Sequence, residues 1–203
     1  MTAIRSVKRI ACIPVLLFVI INNIFAQNNQ TLEVSDFREG DLLFQDLDCG
    51  ELCDAIEKVT KGKKTYNISH MGIVVTYHDS IFIEEALGAE VKLTLPHTFL
   101  QRSVTSSGIP KVIAARTKSS YPGIAVKAAA EALKYLGTPY DDAFILGDAS
   151  VYCSELIYYS FKKANYGREF FTLSNMTFRD PEKGRSEEHT SELQSRVDIS
   201  YAV

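Results

Sequence analysis

A chain of 203 residues with 46 % hydrophobic and 23 % charged side chains has ordinary globular composition and enough length for one domain with a sizeable core. Its formal net charge of -3 leaves no electrostatic footprint for nucleic acid, so nucleic acid is excluded from the expected partners. No tandem repeat or low-complexity tract points to a solenoid or a disordered chain.

Residues 1–26 read as a secretory signal peptide. Arg5, Lys8 and Arg9 make a basic start, an apolar run spans residues 10–21, and Ile24-Phe25-Ala26 offers a cleavage site before Gln27. The run is too short for a good membrane span, although an uncleaved anchor is the alternative. Cys12 falls near the start of the run and is poorly placed for lipid attachment. The mature protein is therefore expected to be exported, periplasmic or extracellular, with no stable membrane insertion after cleavage. Residues 27–36 are polar and read as a flexible leader.

Asp41-Leu42-Leu43-Phe44-Gln45 follows a Glu39-Gly40 turn and reads as a short strand. Residues 52–60 carry Ile56 and Val59 at helical spacing, and the basic, glycine-containing residues 61–64 end that helix. Cys49 and Cys53 flank its start. In an exported protein they could bridge, or both could stay free; no second ligand pair nearby supports a metal site. Residues 70–76 are β-branched and apolar and read as a strand; residues 77–80 turn, and residues 81–86 return. Glu90-Val91-Lys92-Leu93 and Val112-Ile113-Ala114-Ala115 complete an expected antiparallel meander. A helix over residues 124–136 stops at Gly137 with Pro139 beyond it, and a last helix covers residues 156–164. The pattern predicts an α+β domain over residues 37–184, with no internal linker.

The far end reads differently. The peptide Arg185-Ser186-Glu187-Glu188-His189-Thr190-Ser191-Glu192-Leu193-Gln194-Ser195 resembles a translated short-read sequencing adapter. On that reading residues 185–203 are a non-native tail and the domain is truncated near Gly184. The alternative is a polar C-terminal helix.

Cys153 falls at or just before the first turn of the last helix. Free backbone N–H groups and the positive end of the helix dipole meet there, and both favour thiolate, the nucleophilic form. The same N–H groups could hold a developing oxyanion. A buried, inert cysteine is the alternative. A thiolate nucleophile needs a base within hydrogen-bond reach. His189 lies in the adapter-like peptide, His78 in a hairpin tip and His97 in a loop; only His70 starts a strand in an apolar stretch. Gly72, on the same face, leaves room beside it. The returning strand brings Glu84 and Glu85 back beside His70, where one could accept from the ring N–H; alternation lets only one of them face it, and the other, or both, could simply be exposed strand-end charges.

Gly40-Asp41-Leu42-Leu43-Phe44, Ser69-His70-Met71-Gly72-Ile73-Val74, Glu85-Ala86, Leu136-Gly137-Thr138-Pro139-Tyr140-Asp141 and Tyr152-Cys153-Ser154-Glu155-Leu156 stand in that order. Together they resemble the YiiX/YebB-like branch of the NlpC-type, papain-like hydrolases, over nearly all of residues 37–183. In that branch the chain is circularly permuted, so the His strand precedes the Cys helix. The resemblance implies that Cys153 is the nucleophile, His70 its base and Glu85 the group orienting the histidine. It implies that Tyr140 helps the oxyanion hole, where a packed aromatic is the alternative. It also implies an antiparallel sheet or half-barrel with the Cys helix packed on it, and neither metal nor organic cofactor. The family normally continues past Phe178-Arg179-Asp180-Pro181, so a truncated tail would uncover core or leave the pocket open.

The expected function is hydrolysis of an amide bond in a small peptide, such as a cell-wall stem peptide, through Cys153, His70 and Glu85. The alternatives are a lipid-directed acyl hydrolase or transferase using the same nucleophile, and a catalytically silent binding module. The oligomeric state is not given by these features.

Overall fold

Five strands of the domain fall where β-branched and apolar residues cluster between turns: β1 (Leu42–Gln45), β2 (His70–Tyr77), β3 (Ser80–Leu87), β4 (Glu90–Thr94) and β5 (Val112–Thr117). The computed structural model describes residues 32–59, 67–147, 149–179, 186–194 and 199–202. The expected signal peptide, the start of the leader and the basic loop at 61–64 lie outside the described residues. Helices α1 (Glu51–Val59), α2 (Pro96–Gln101), α3 (Ile124–Ala132) and α4 (Cys153–Ala164) interleave with the strands. The chain closes with β6 (Thr172–Arg179), β7 (Ser186–Gln194) and β8 (Ile199–Ala202).

The main sheet runs β4-β3-β2-β1-β5-β8, and each of its pairings is antiparallel. The meander expected from the sequence holds for β2, β3 and β4 but not for β5, which pairs with β1. The reason lies between β4 and β5. Pro96 starts a short helix, α2, where a loop holding His97 was expected, and the chain from α2 through the Val104–Pro110 bridge crosses to the other side of the sheet. β6 and β7 form a separate two-stranded ribbon, so the adapter-like residues run extended against Thr172–Arg179.

Alternation in β2 divides the core. Met71, Ile73 and Val75 join Leu42 against α3 and α4, where Ala128, Ala129 and Ala132 let the helices approach Ile157 and Phe161. Val74 joins Leu43, Ile83, Phe99 and Leu100 on the opposite face, under α2. Full burial of each large apolar side chain contributes about 1.5–3 kcal/mol. The helix expected at 124–136 ends earlier, at Ala132, and tightens into a 3-10 turn at Leu133–Tyr135. Gly40 serves packing: at φ +85° it brings the start of β1 against Ala125 of α3, and a Cβ there would lie 2.4 Å from the Ala125 carbonyl carbon. Asp41, buried beside it, accepts two bonds from Arg116 at 2.6 Å each.

Candidate active site

Cys153 is the first residue of α4. Its predecessor, Tyr152, is extended (φ -97°, ψ 174°), and among the described residues no side-chain cap is seen at this N-terminus, where the first-turn N–H groups lack intrahelical partners. The preceding segment is pinned at both ends. Tyr140 N–H donates to the Ala89 carbonyl at 2.9 Å and Val91 N–H to that of Thr138 at 2.8 Å, tying residues 138–140 to β4. Val151 N–H then donates to the Pro139 carbonyl at 3.0 Å. Between them, the buried carboxylate of Asp141 accepts from Ala143 N–H (2.9 Å) and Ile145 N–H (2.6 Å), while Glu155 of α4 accepts from Gly147 N–H (2.8 Å). The Leu136-to-Asp141 motif thus delivers Cys153 to its place.

His70, the first residue of β2, is buried, with its ring 6.1 Å from that of Phe99. Its Nε2–H donates to Glu85 Oε2 at 2.7 Å. Cys153 acts on the ring electrostatically, and Nδ1 is the ring nitrogen not engaged by Glu85. Gly72 allows this arrangement. A Cβ there would meet Ile83 Cγ2 at 2.7 Å and Glu85 Cβ at 3.5 Å. Of the two glutamates, Glu85 turns to His70. Glu84 lies on the other face, between its register partners Ile73 and Leu93.

Glu85 has further partners. Thr94 Oγ1–H donates to Oε1 at 2.5 Å, and Arg102 donates to both oxygens, at 2.5 Å to Oε1 and 2.8 Å to Oε2. Charge-assisted bonds of this kind contribute about 1.5–3 kcal/mol each. Neither Arg102 nor Thr94 was among the residues read from the sequence. Arg102 follows a helix read as loop, and its only local signal is Pro96 at the helix start, which would have placed an ordered turn there.

The electrostatics follow from these contacts. Burial alone would lower the pKa of His70, but the interactions with Cys153 and then with Glu85 outweigh it and raise it from 6.5 to about 9. Burial would raise that of Glu85, but the hydrogen bonds from Arg102 and then His70 hold it at about 2. Glu84 has only burial acting on it and is pushed up to about 8. Tyr140 is shifted well above the usual phenol range by burial and by charge on Cys153. It therefore lies within electrostatic reach of the thiol, and it also packs on Phe144. Of the four residues expected at the site, His70 and Glu85 are in direct contact, while Cys153 and Tyr140 are linked to that pair through electrostatics.

Cys49 and Cys53 form a disulfide, which settles the open alternative, and Cys153 is free. Among the described residues, no group of three or more His, Cys, Asp or Glu side chains could hold a metal ion. Also among them, no helix is long and apolar enough to cross a membrane.

Comparison with known proteins bears on the family and the fold. A model of the family described as permuted papain-like amidase enzyme, YaeF/YiiX, C92 family, matches residues 36–197. No curated protein matches the chain. Among solved structures, it is similar to the crystal structure of metalloprotein yiiX from Escherichia coli O157:H7, at a TM-score of 0.64 and 22 % identity over 82 % of this chain and 96 % of that one. At that identity the likeness speaks for the fold.

Proposed function

Because the chain belongs to the permuted papain-like amidases of the YaeF/YiiX, C92 family, a family of cysteine hydrolases, we propose that it cleaves an amide bond in a small peptide through Cys153, His70 and Glu85. The observation that carries this reading is the buried His70–Glu85 pair, with the His70 pKa raised by Cys153 at the start of α4.

His70 takes the thiol proton, and the thiolate sulfur attacks the amide carbonyl carbon. The resulting oxyanion faces the N–H groups of the first turn of α4, with the Tyr140 hydroxyl as a further donor. As the carbon–nitrogen bond breaks, His70 returns the proton to the leaving amine. It then draws a proton from water, whose oxygen attacks the thioester and frees the acid and the thiol. Glu85 stabilises the imidazolium throughout and fixes the ring.

A cell-wall stem peptide fits this reading if the protein is exported. The disulfide between Cys49 and Cys53 supports an oxidising compartment, periplasmic or extracellular. The test is to incubate wild type and Cys153→Ala with short peptides, cell-wall stem peptides among them, and to look by mass spectrometry for products and for an acyl group on Cys153. Products and a Cys153 adduct in wild type alone are expected. Cleavage by Cys153→Ala at the wild-type rate would remove the nucleophile from the reading.

A further inference from the structure

We propose that Arg102 is a positioning residue for this site: its guanidinium fork fixes which Glu85 oxygen faces His70 and keeps that carboxylate from accepting the His70 proton. The inference rests on the Cys153–His70–Glu85 reading above.

A carboxylate offers about four lone-pair positions. Four donors meet that of Glu85: Thr94 Oγ1–H and one Arg102 N–H on Oε1, His70 Nε2–H and the other Arg102 N–H on Oε2. Moving the His70 proton onto Oε2 would set an O–H against the Arg102 N–H and break one of these bonds. The proton is therefore left to travel through the other ring nitrogen, toward sulfur and the leaving amine.

Arg102 is itself held. Its Nη1 also reaches Gln45 Oε1 at 3.4 Å, and its guanidinium lies over the Phe99 ring, 5.3 Å from the centroid. Gln45 donates to the Phe99 carbonyl at 2.8 Å and is the register partner of His70. The groups facing Glu85 are thus His70 from β2, Thr94 from β4 and Arg102 beyond α2, with Cys153 of α4 behind His70. Lys92, its register partner on β4, is exposed, and Glu84 faces the other way. A lysine at 102 would keep the charge but not the fork.

Iodoacetamide alkylation of Cys153 against pH tests this in wild type, Arg102→Met, Arg102→Lys, Glu85→Gln and the double variant Glu85→Gln/Arg102→Met. Arg102→Met should move the midpoint of the curve up by about one pH unit or more, because a buried carboxylate without its cation favours its neutral form and withdraws support from the imidazolium. Arg102→Lys should fall between that and wild type. In the Glu85→Gln background, loss of Arg102 should shift the midpoint by no more than a few tenths, approximately. An Arg102→Met curve that overlays wild type, or an equal shift with and without Glu85, overturns the proposal. If Arg102→Met fails to fold, the double variant, which buries no unpaired carboxylate, should fold and titrate like Glu85→Gln alone; its failure to fold would also overturn it. A wild-type curve insensitive to His70→Ala would bring down the three-residue reading and this inference together, whereas His70 dependence with a silent Arg102→Met removes only the role of Arg102.

Discussion

Glu84 and Glu85 are consecutive in β3 and both fully buried, yet one is held neutral and the other charged: burial alone pushes Glu84 up to about 8, while Arg102 and His70 hold Glu85 at about 2. Alternation sends the two side chains to opposite faces, one into the apolar layer under α3 and α4, the other into a polar cluster built around it. Among the described residues, neither Glu84 oxygen has a hydrogen-bond partner.

Glu84 should therefore make stability fall with rising pH. Its folded pKa, about 8, exceeds the ordinary 4.5, so the folded state keeps a proton that the unfolded chain releases. Its contribution is fully present below about 4.5 and lost as pH rises toward 8, a difference on the order of 5 kcal/mol. Urea unfolding at pH 5 and pH 8 checks this. Glu84→Gln should remove much of the loss, and an unchanged pH dependence in the variant would count against a buried, neutral Glu84.

His70 sets the alkaline edge of activity. Its pKa is raised to about 9, so the imidazolium and the stability it contributes are fully present below 6.5 and are lost as pH rises through about 9. With a cleaved substrate in hand, kcat/KM should fall above pH 9 or so. Glu85→Gln should move that edge down, since it takes away a partner of the charged ring.

Gly72→Ala should damage the site through the backbone. The added Cβ would lie 2.7 Å from Ile83 Cγ2 and 3.0 Å from the Glu84 carbonyl oxygen, both within the sheet that holds Glu85. Overpacking of this kind costs about 1–3 kcal/mol. Thermal unfolding should report that loss, and Cys153 alkylation should show a weakened His70 dependence.

Reduction of the Cys49–Cys53 disulfide should lower stability by about 2 kcal/mol, the entropy of closing so short a loop. Denaturation with and without reductant measures it. Cys153 alkylation at neutral pH should be unaffected, because the bridge ties Cys49 to Cys53 of α1 and involves no residue of α4.

The β2–β3 hairpin and the Cys153 helix could be read from residues because their signals are local: a β-branched run with a polar turn, and an apolar helical face. Alternation also showed that only one of Glu84 and Glu85 can face His70, though choosing Glu85 needed the family resemblance. What escaped was non-local. The pairing of β5 with β1 depends on α2 carrying the chain across the sheet, and nothing in residues 112–117 names a partner strand. The clamp on Glu85 joins β3, β4 and the residue after α2, and its distances arise only when those elements pack. Gly40 and Asp41 belonged to a motif quoted for function, but the fold uses them for close packing on α3 and for the ion pair with Arg116.

The pairing of Cys153 with His70 is tested most directly by the rate of Cys153 alkylation against pH in wild type and in His70→Ala. A paired thiol predicts fast alkylation extending well below neutral pH in wild type, and a midpoint displaced upward in the variant. Curves that coincide, with the midpoint of an ordinary thiol near about pH 8.5, would contradict the pairing and leave Cys153 without a base.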